Sequence, residues 1–263
     1  MRFAPVPPAL REQIAEHYAK LGEDSLAVAV RSSAVGEDSQ DATFAGQQET
    51  YLWVRGAEHV CDAVRDCWVS LYSSPAISYR ARLAHAQESP TMGVTVQAMV
   101  DAEVSGVMFT CNPVSGDPSM VAINASWGLG LAVVGGEVTP DDFLVSKITG
   151  EVVREHIHPK GVQYVPDLGG DGAVRVAVDD ERREARSLER ADLERLVDVA
   201  RRIERYFGCH QDIEWALPRG ENEHVFVVQT RPVTAVAKKP EQPKPASAMS
   251  LIMSTFGAGP PKD

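Results

Sequence analysis

The feature that most constrains the fold is a pair of short segments separated by a turn near the end of the sequence. They cover residues 211–217 and 225–231, and the linker between them contains proline, glycine and asparagine. Those residue types favour tight turns, so the segments are predicted to pair as antiparallel strands of a hairpin. Because residues two apart share a face of a strand, two cross-strand pairs are predicted to point to the same side. These pairs are Glu214–Gln229 and Asp212–Arg231.

This group of four polar side chains is the first candidate site. Carboxylate and amide oxygens are hard ligands that suit Mg²⁺, which commonly keeps several waters and bridges to substrate phosphates. An arginine beside them can hold a phosphoryl group through two hydrogen bonds and stabilise the charge of a group in transfer. The alternative is structural: a salt bridge between Asp212 and Arg231, with Glu214 in solvent. Spacing alone leaves both interpretations open.

Periodicity predicts helices and strands outside this hairpin. The helices cover 10–21, 60–71 and 193–207, and the strands cover 26–30, 94–100, 106–110, 120–125, 143–146 and 152–155. The segment 35–48 is polar and contains glycine, so it is predicted to be a loop. Gly128-Leu129-Gly130 lacks the third glycine and the following helix of a dinucleotide fingerprint, which argues against a Rossmann fold.

Charge and composition narrow the possible partners. The 263 residues include 37 acidic and 26 basic side chains, for a formal charge of −11. An acidic surface repels nucleic acid and anionic membranes, so neither is expected as a partner.

The first ten residues contain three prolines and no apolar signal-peptide core, and no segment approaches the roughly 18 apolar residues of a membrane span. The four cysteines form no C-x-x-C pair, so reduced core thiols in a cytoplasmic protein are expected.

Six blocks of sequence can be read together. They are V-R-S-S-A-V-G-E-D-S at 30–39, F-A-G-Q-Q-E-T-Y-L at 44–52, S-G-V-M-F-T-C-N-P-V-S-G-D at 105–117, G-G-E-V-T-P-D at 135–141, Q-D-I-E-W-A at 211–216 and V-Q-T-R-P-V-T at 228–234. In this order they resemble the nucleotide-binding segments of phosphoenolpyruvate synthase and pyruvate phosphate dikinase. The same domain occurs in rifampin phosphotransferase and phenylphosphate synthase, so the blocks specify the domain better than the substrate.

The resemblance implies an α+β fold of the ATP-grasp type, in which ATP lies between two subdomains. From the residues alone, an arginine directly after a strand can reach an anion, and a glycine lets backbone N–H groups approach phosphate. Most loops contain such residues, so this signal is weak by itself. The resemblance strengthens it: Arg31 would bind ATP phosphates, Gly46 and Thr50 would lie in the loop over the phosphates, and Gln97 would sit near the adenine or its linker.

The resemblance also assigns roles to the predicted hairpin. Glu214 and Gln229 would hold Mg²⁺ with the phosphates, and Arg231 would contact the transferring phosphoryl group. Arg31 and Arg231 are therefore the catalytic candidates, with ATP and Mg²⁺ as cofactors. The ATP-binding domain is expected to cover residues 1–236, and 237–263 is expected to be a Pro/Lys-rich linker and flexible tail.

The sequence differs from the family pattern in three places, and these differences bear on the expected fold and function. Family members usually begin with a further subdomain containing a G-G-K segment, so the domain is expected to be mainly the C-terminal part of an ATP-grasp fold, with the first subdomain largely missing. None of the seven histidines lies in the T-x-G-G-x-x-x-H-A-A setting of the family's phosphorylated histidine. Leu131 stands where the family often has glutamate after G-L-G, which is expected to alter how the nucleotide is held.

Three functions therefore compete. The leading hypothesis is an ATP-binding subunit of a split phosphotransferase, which phosphorylates a carrier histidine on a partner chain that then serves a pyruvate- or phenol-like acceptor. The second is an inactive fragment of a phosphoenolpyruvate synthase or rifampin phosphotransferase. The third is a nucleotide-sensing module without catalysis, which has less need of Glu214, Gln229 and Arg231 together.

Overall fold

A computed structural model describes residues 5–22, 25–34, 50–74, 76–78, 91–167, 169–220 and 224–233. The helices with defined bounds are α1 (Pro8–Ala19), α2 (Ala57–Ser70), α3 (Leu131–Val134), α4 (Asp180–Arg183) and α5 (Arg190–Phe207). The strands are β1 (Val28–Ala34), β2 (Thr50–Val54), β3 (Met92–Ala98), β4 (Ala102–Phe109), β5 (Met120–Trp127), β6 (Asp141–Ser146), β7 (Val152–His156), β8 (Val162–Pro166), β9 (Ala173–Ala177), β10 (Gln211–Pro218) and β11 (Phe226–Pro232). In the described part of the chain, no helix has the length and hydropathy needed to cross a bilayer.

Among its described residues, the first lobe, from α1 to β3, contains a three-stranded antiparallel sheet, with α2 packed on β1 and α1 packed against α2. The strand order is β2-β1-β3. Val28 and Val30 of β1 are fully buried against Val60 and Val64, which lie four residues apart on one face of α2. The Tyr18 hydroxyl of α1 donates to the Leu26 carbonyl at 2.6 Å, so α1 is fixed beside the start of β1.

The second lobe, from β4 to β11, contains a six-stranded antiparallel sheet in the order β11-β10-β4-β5-β6-β7. The amphipathic helix α5 buries Leu193, Leu196 and Val197 against one face of this sheet. A capping box between Glu189 and Asp192 starts that helix. Gly208 ends it in the left-handed conformation, with φ of 69°. The opposite face of the central strands is therefore available to form a site.

A buried ion pair joins the first residue of β6 to the segment between β7 and β8. Lys160 Nζ donates to Asp141 Oδ1 at 2.6 Å, and both side chains are fully buried. The second Asp141 oxygen accepts hydrogen bonds from the backbone and hydroxyl of Ser187 at 2.9 and 2.6 Å. Because every charge has a partner, the burial of this pair is tolerated.

The predicted elements agree with the structure where local periodicity is strong. The three helices and the six strands predicted outside the hairpin are present, but their first or last residues differ from the predicted ones. Strand β1 continues through the polar residues up to Ala34, because its backbone pairs with β2 on one side and β3 on the other. Strand β3 ends at Ala98, so its predicted end at 100 was wrong. Strands β2, β8 and β9 were not predicted.

Mixed helices and antiparallel sheets agree with the α+β prediction. The loop predicted at 35–48 and the linker and tail predicted at 237–263 lie outside the described residues. Three cysteines are buried as expected, Cys61, Cys67 and Cys111, whereas Cys209 is exposed, so the expectation of core thiols was wrong for that residue. Cys209 lies between the end of α5 at Phe207 and the start of β10 at Gln211, where the chain has left the surface helix and has not yet entered the sheet.

Candidate functional site

The β10–β11 hairpin has the predicted register. Glu214 lies opposite Gln229, and Asp212 lies opposite Arg231. Along β10 the burial alternates: Ile213 and Trp215 are buried in the core beside α5, while Asp212 and Glu214 are only half-buried. Both carboxylates therefore belong to the face of the sheet that α5 does not cover.

Two ion pairs organise these polar side chains. Arg231 Nε donates to Asp212 Oδ2 at 2.8 Å, which is the cross-strand salt bridge of the structural alternative. Glu214, however, does not lie in solvent: its Oε2 accepts a hydrogen bond from Arg31 Nη2 at 2.6 Å. The side chains of Arg31 and Glu214 are 23% and 24% exposed. The structural alternative is thus right about Asp212 and wrong about Glu214.

A cavity of about 180 Å³ lies where the two lobes meet. Four of the predicted site residues line it together: Arg31, Thr50, Gln97 and Glu214. Gln229 and Arg231 are not among its lining residues and lie beside it, on the outer strand of the hairpin. Gly46 lies outside the described residues.

The strand registers give the cavity a polar end and an apolar end. At the polar end, Arg31 is paired on the sheet with Thr50 and faces Glu214. Three residues back along β1, Val28 is paired with Ala98, where the lining consists of Ala98, Met99, Val100, Ala102 and Ala216. Three strand residues span roughly 10 Å. The cavity can therefore hold a flat apolar group at one end and an anion at the other.

Contacts between the lobes fix the width of the cavity. Gln97 Nε2 on β3 donates to the Val228 carbonyl on β11 at 3.2 Å. Trp53 on β2 packs with Ala102, Leu129 and Ala216 of the second lobe. Trp53 has a φ of 60°, which is uncommon for a residue with a Cβ and is held there by the surrounding contacts. Sequence periodicity gave no signal for this tryptophan, because its role depends on the other lobe.

The segment Gly128-Leu129-Gly130 and the short helix α3 form a further wall of the cavity. Gly128 has a φ of +75°, and a Cβ there would lie 2.4 Å from the Tyr164 carbonyl oxygen, so only glycine fits. Leu129 N donates to that same carbonyl at 2.8 Å, which anchors the segment to β8. A helix does follow this glycine pair, contrary to the sequence prediction. It is only four residues long, so the helical period could not reveal it.

Hydrogen bonds across the surface hold this wall in place. The Tyr164 hydroxyl donates to Glu137 Oε1 at 2.6 Å, and Arg175 Nε donates to Glu137 Oε2 at 2.8 Å. These two hydrogen bonds lower the pKa of Glu137. The β8–β9 hairpin therefore supports the residues that follow α3.

The described side chains of the site offer fewer oxygen ligands than a metal ion needs for a complete coordination shell. Within the ranges that the structure describes, no three His, Cys, Asp or Glu side chains are placed to share a metal ion. Glu214 and Gln229 are a cross-strand pair and supply one carboxylate and one amide oxygen. Such a pair could bind a cation only with further oxygens from waters or from a ligand.

Comparison with known proteins gives consistent matches. The sequence model of the family described as pyruvate phosphate dikinase, AMP/ATP-binding domain, matches residues 1–250. The chain is 39% identical to the probable phosphoenolpyruvate synthases of Staphylothermus marinus and Methanothermobacter thermautotrophicus and to the phosphoenolpyruvate synthase of Pyrococcus furiosus. These matches cover 91%, 97% and 97% of this chain and 32%, 37% and 32% of the respective relatives. The chain thus spans about a third of the length of these curated relatives.

Proposed function

This chain belongs to the pyruvate phosphate dikinase AMP/ATP-binding domain family, and from that premise we propose that it binds Mg-ATP in the cavity between its lobes for phosphoryl transfer. The observation that carries the proposal is the Arg31–Glu214 contact at one end of an apolar cavity. The proposed fold is an ATP-grasp fold, with one lobe on each side of the nucleotide.

The polarity of the cavity supports one orientation of the nucleotide. The adenine would occupy the apolar end near Met99 and Ala216, where flat apolar surface is available. The phosphates would then lie at the polar end, beside Arg31. Thr50 begins β2 there, directly after the segment that contains Gly46, so both residues are proposed to contact phosphate.

The oxygen donors at the polar end fit a magnesium ion. Glu214 and Gln229 offer hard oxygen ligands on neighbouring strands, and Mg²⁺ is commonly held by one or two such side chains together with waters and substrate phosphates. When bound, Mg²⁺ would neutralise phosphate charge and orient the phosphates for in-line transfer. Because the donor set of the protein is incomplete alone, metal and nucleotide are expected to bind together.

The two arginines would carry the catalytic role. The site contains two ion pairs, Arg31 with Glu214 and Arg231 with Asp212, so the formal charges of these four side chains cancel. A phosphate group competes with Glu214 for Arg31, and the carboxylate released from Arg31 is free to bind the cation. Arg31 would then hold the nucleotide phosphates, and Arg231, oriented by Asp212, would hold the phosphoryl group in transfer.

The proposed acceptor is a histidine on another domain or chain, because none of the seven histidines here lies in the family's carrier setting. The imidazole nitrogen would attack a phosphorus atom of the nucleotide, and the anhydride bond to the rest of the nucleotide would break, so that the shortened nucleotide leaves. The phosphoryl group would then pass to an oxygen of a small acceptor such as a pyruvate or phenol, which breaks the P–N bond and restores the imidazole. The greater length of the curated relatives supports a division of labour in which this chain supplies the nucleotide site.

Two experiments test this proposal. Titration calorimetry with ATP is expected to show binding that strengthens with Mg²⁺; equal affinity with and without Mg²⁺ would contradict the metal assignment. The second mixes the chain and labelled ATP with a fragment comprising the remaining two thirds of the Pyrococcus furiosus relative. Acid-labile label on a histidine of that fragment would support transfer, whereas binding without any transfer would favour a sensing module.

A further inference from the structure

A buried glutamine at the start of β10 is hydrogen-bonded to the neighbouring strand β11. Gln211 is fully buried, and its Oε1 accepts a hydrogen bond from the Thr230 hydroxyl at 3.0 Å. Its Nε2 donates to the carbonyl oxygens of Cys209 and His210 at 3.4 and 3.3 Å. A carbonyl oxygen can only accept, so these two contacts fix which end of the amide is the donor. The amide oxygen of Gln211 is therefore the end that faces Thr230.

Gln211 is itself anchored to the interior of the sheet. Its backbone N–H donates to Thr110 Oγ1 at 2.8 Å, and the Thr110 N–H donates to the Gln211 carbonyl at 2.9 Å. Thr110 directly follows β4 and is fully buried. Strand β4 lies between β10 and β5 in the sheet. The Thr230 hydroxyl is thus connected through Gln211 to an interior strand.

Thr230 stands between two residues of the proposed site. Gln229 and Arg231 are its chain neighbours on β11, which follows β10 at the end of the sheet order. Successive side chains alternate between the two faces of a strand, so the Thr230 side chain lies on the face opposite to theirs. The Arg231–Asp212 ion pair also joins the strands, but it lies on the site face, where a phosphate would compete for Arg231. The Thr230–Gln211 hydrogen bond does not have to break when a ligand binds.

The pairing of the two strands changes next to Gln229. Glu214 is paired with Gln229, but the following residue, Trp215, is paired with Val227, so the register shifts by one residue there. Such irregularities re-aim side chains and are common beside binding sites. On the other side of Gln229 the regular pairing continues through Thr230. The direction of the Gln229 side chain therefore depends on how firmly β11 is held at Thr230.

We propose, on the basis of the proposed Mg-ATP site, that Thr230 and Gln211 are positioning residues for the metal and the phosphates. From the opposite face of the hairpin they hold β11 so that Gln229 and Arg231 point at these groups. Neither Thr230 nor Gln211 touches the nucleotide or the metal. The Thr230 hydroxyl is the group that acts, because it is the donor to the buried amide oxygen.

The test is calorimetric titration of the full chain with ATP, with and without Mg²⁺. The measured quantity is the ratio of the two dissociation constants. In Thr230→Val, which keeps the shape but removes the hydroxyl, this ratio is expected to fall by about tenfold or to one, because groups that orient metal ligands commonly contribute that much to metal affinity. The dissociation constant without Mg²⁺ should stay within about threefold of wild type, since Arg31 and the apolar end do not depend on β11.

Two further variants separate positioning from general destabilisation. Thr230→Ser keeps the hydroxyl and is expected to keep the wild-type ratio. Tyr18→Phe removes a hydroxyl that donates to the Leu26 carbonyl at 2.6 Å in the first lobe, away from the hairpin. It should also keep the wild-type ratio, although it loses a hydrogen bond of the same kind. Circular dichroism at the titration temperature confirms that each variant is folded.

Each outcome separates this inference from the function on which it rests. A wild-type ratio in Thr230→Val would overturn the positioning role and leave the nucleotide site intact. An equal loss in Thr230→Ser or in Tyr18→Phe would overturn it too, because the effect would then not belong to the Thr230 hydroxyl. Failure of the wild-type chain to bind ATP, or binding that Mg²⁺ does not strengthen, would refute the proposed site itself, and the inference with it.

Discussion

Arg31 and Glu214 are 183 residues apart in the sequence, yet Arg31 Nη2 lies 2.6 Å from Glu214 Oε2. The arginine belongs to the three-stranded sheet of the first lobe, and the glutamate belongs to the six-stranded sheet of the second. One contact therefore joins the lobes at the polar end of the cavity. It also places the proposed phosphate ligand and the proposed metal ligand next to each other.

Replacing Glu214 with glutamine should reduce catalysis without unfolding the protein. The amide keeps the shape and can still accept from Arg31, but it lacks the charge that Mg²⁺ needs. Loss of one stabiliser of transition-state charge commonly costs roughly 10² in rate. Turnover would be measured in the complex with a partner that carries the acceptor histidine. The control is Glu194→Gln, which alters an exposed ion pair with Arg190. A turnover rate of Glu214→Gln within about threefold of the wild-type rate would refute the metal role of Glu214.

Replacing Gly106 with alanine should destabilise the second lobe. A Cβ at this position of β4 would lie 1.8 Å from the Asn124 carbonyl oxygen and 2.8 Å from Trp215 Cζ2. Neither backbone nor a buried tryptophan can move aside cheaply, so a loss of about 1–3 kcal/mol in the free energy of unfolding is expected. Urea denaturation measures this loss. Gly161→Ala is the matched control, since a Cβ there would meet no heavy atom within 4 Å; equal stabilities of the two variants would contradict the clash.

Replacing the buried Lys160 should lower the free energy of unfolding more than replacing a lysine of an exposed ion pair does. Lys160→Met leaves the Asp141 carboxylate fully buried without its cation, which typically costs about 3–5 kcal/mol. Denaturant unfolding of the wild type, of Lys160→Met, of Asp141→Asn and of the double variant gives the coupling energy. The double variant should lose less than the sum of the single changes. Lys20→Met removes an exposed ion pair with Glu16 and is expected to cost less than about 1 kcal/mol.

Acid should remove a stabilising contribution from Glu204. Burial raises the pKa of Glu204, but hydrogen bonds from Lys147 and His210 outweigh it, so the pKa lies below the ordinary value. A carboxylate with a lowered folded pKa stabilises the fold above its unfolded pKa of about 4.3, and this stabilisation disappears as pH falls through the folded value. The difference in unfolding free energy between wild type and Glu204→Gln should therefore shrink between about pH 5 and pH 3. A constant difference over that range would show that Glu204 is not held as the carboxylate.

The β10–β11 hairpin could be predicted from the sequence because its register depends only on residues within the two strands and the turn between them. A turn fixes the register of the two strands that flank it, and the two-residue period then decides which side chains share a face. Glu214 and Gln229 were placed opposite each other on that basis, and the structure has them so. The family blocks added roles for Arg31 and Gln97, which periodicity alone did not supply.

The sequence by itself thus determined the three long helices, most strands, the pairing of Glu214 with Gln229 and the family to which the chain belongs. Only the tertiary structure decided that Arg31 meets Glu214, that Trp53 packs between the lobes, and that α3 forms an apolar wall. The physical reason is the range of the interactions. Hydrophobic period and turn chemistry act over a few residues, whereas the order β10-β4-β5 and the contact between lobes depend on packing between segments that are distant in the chain.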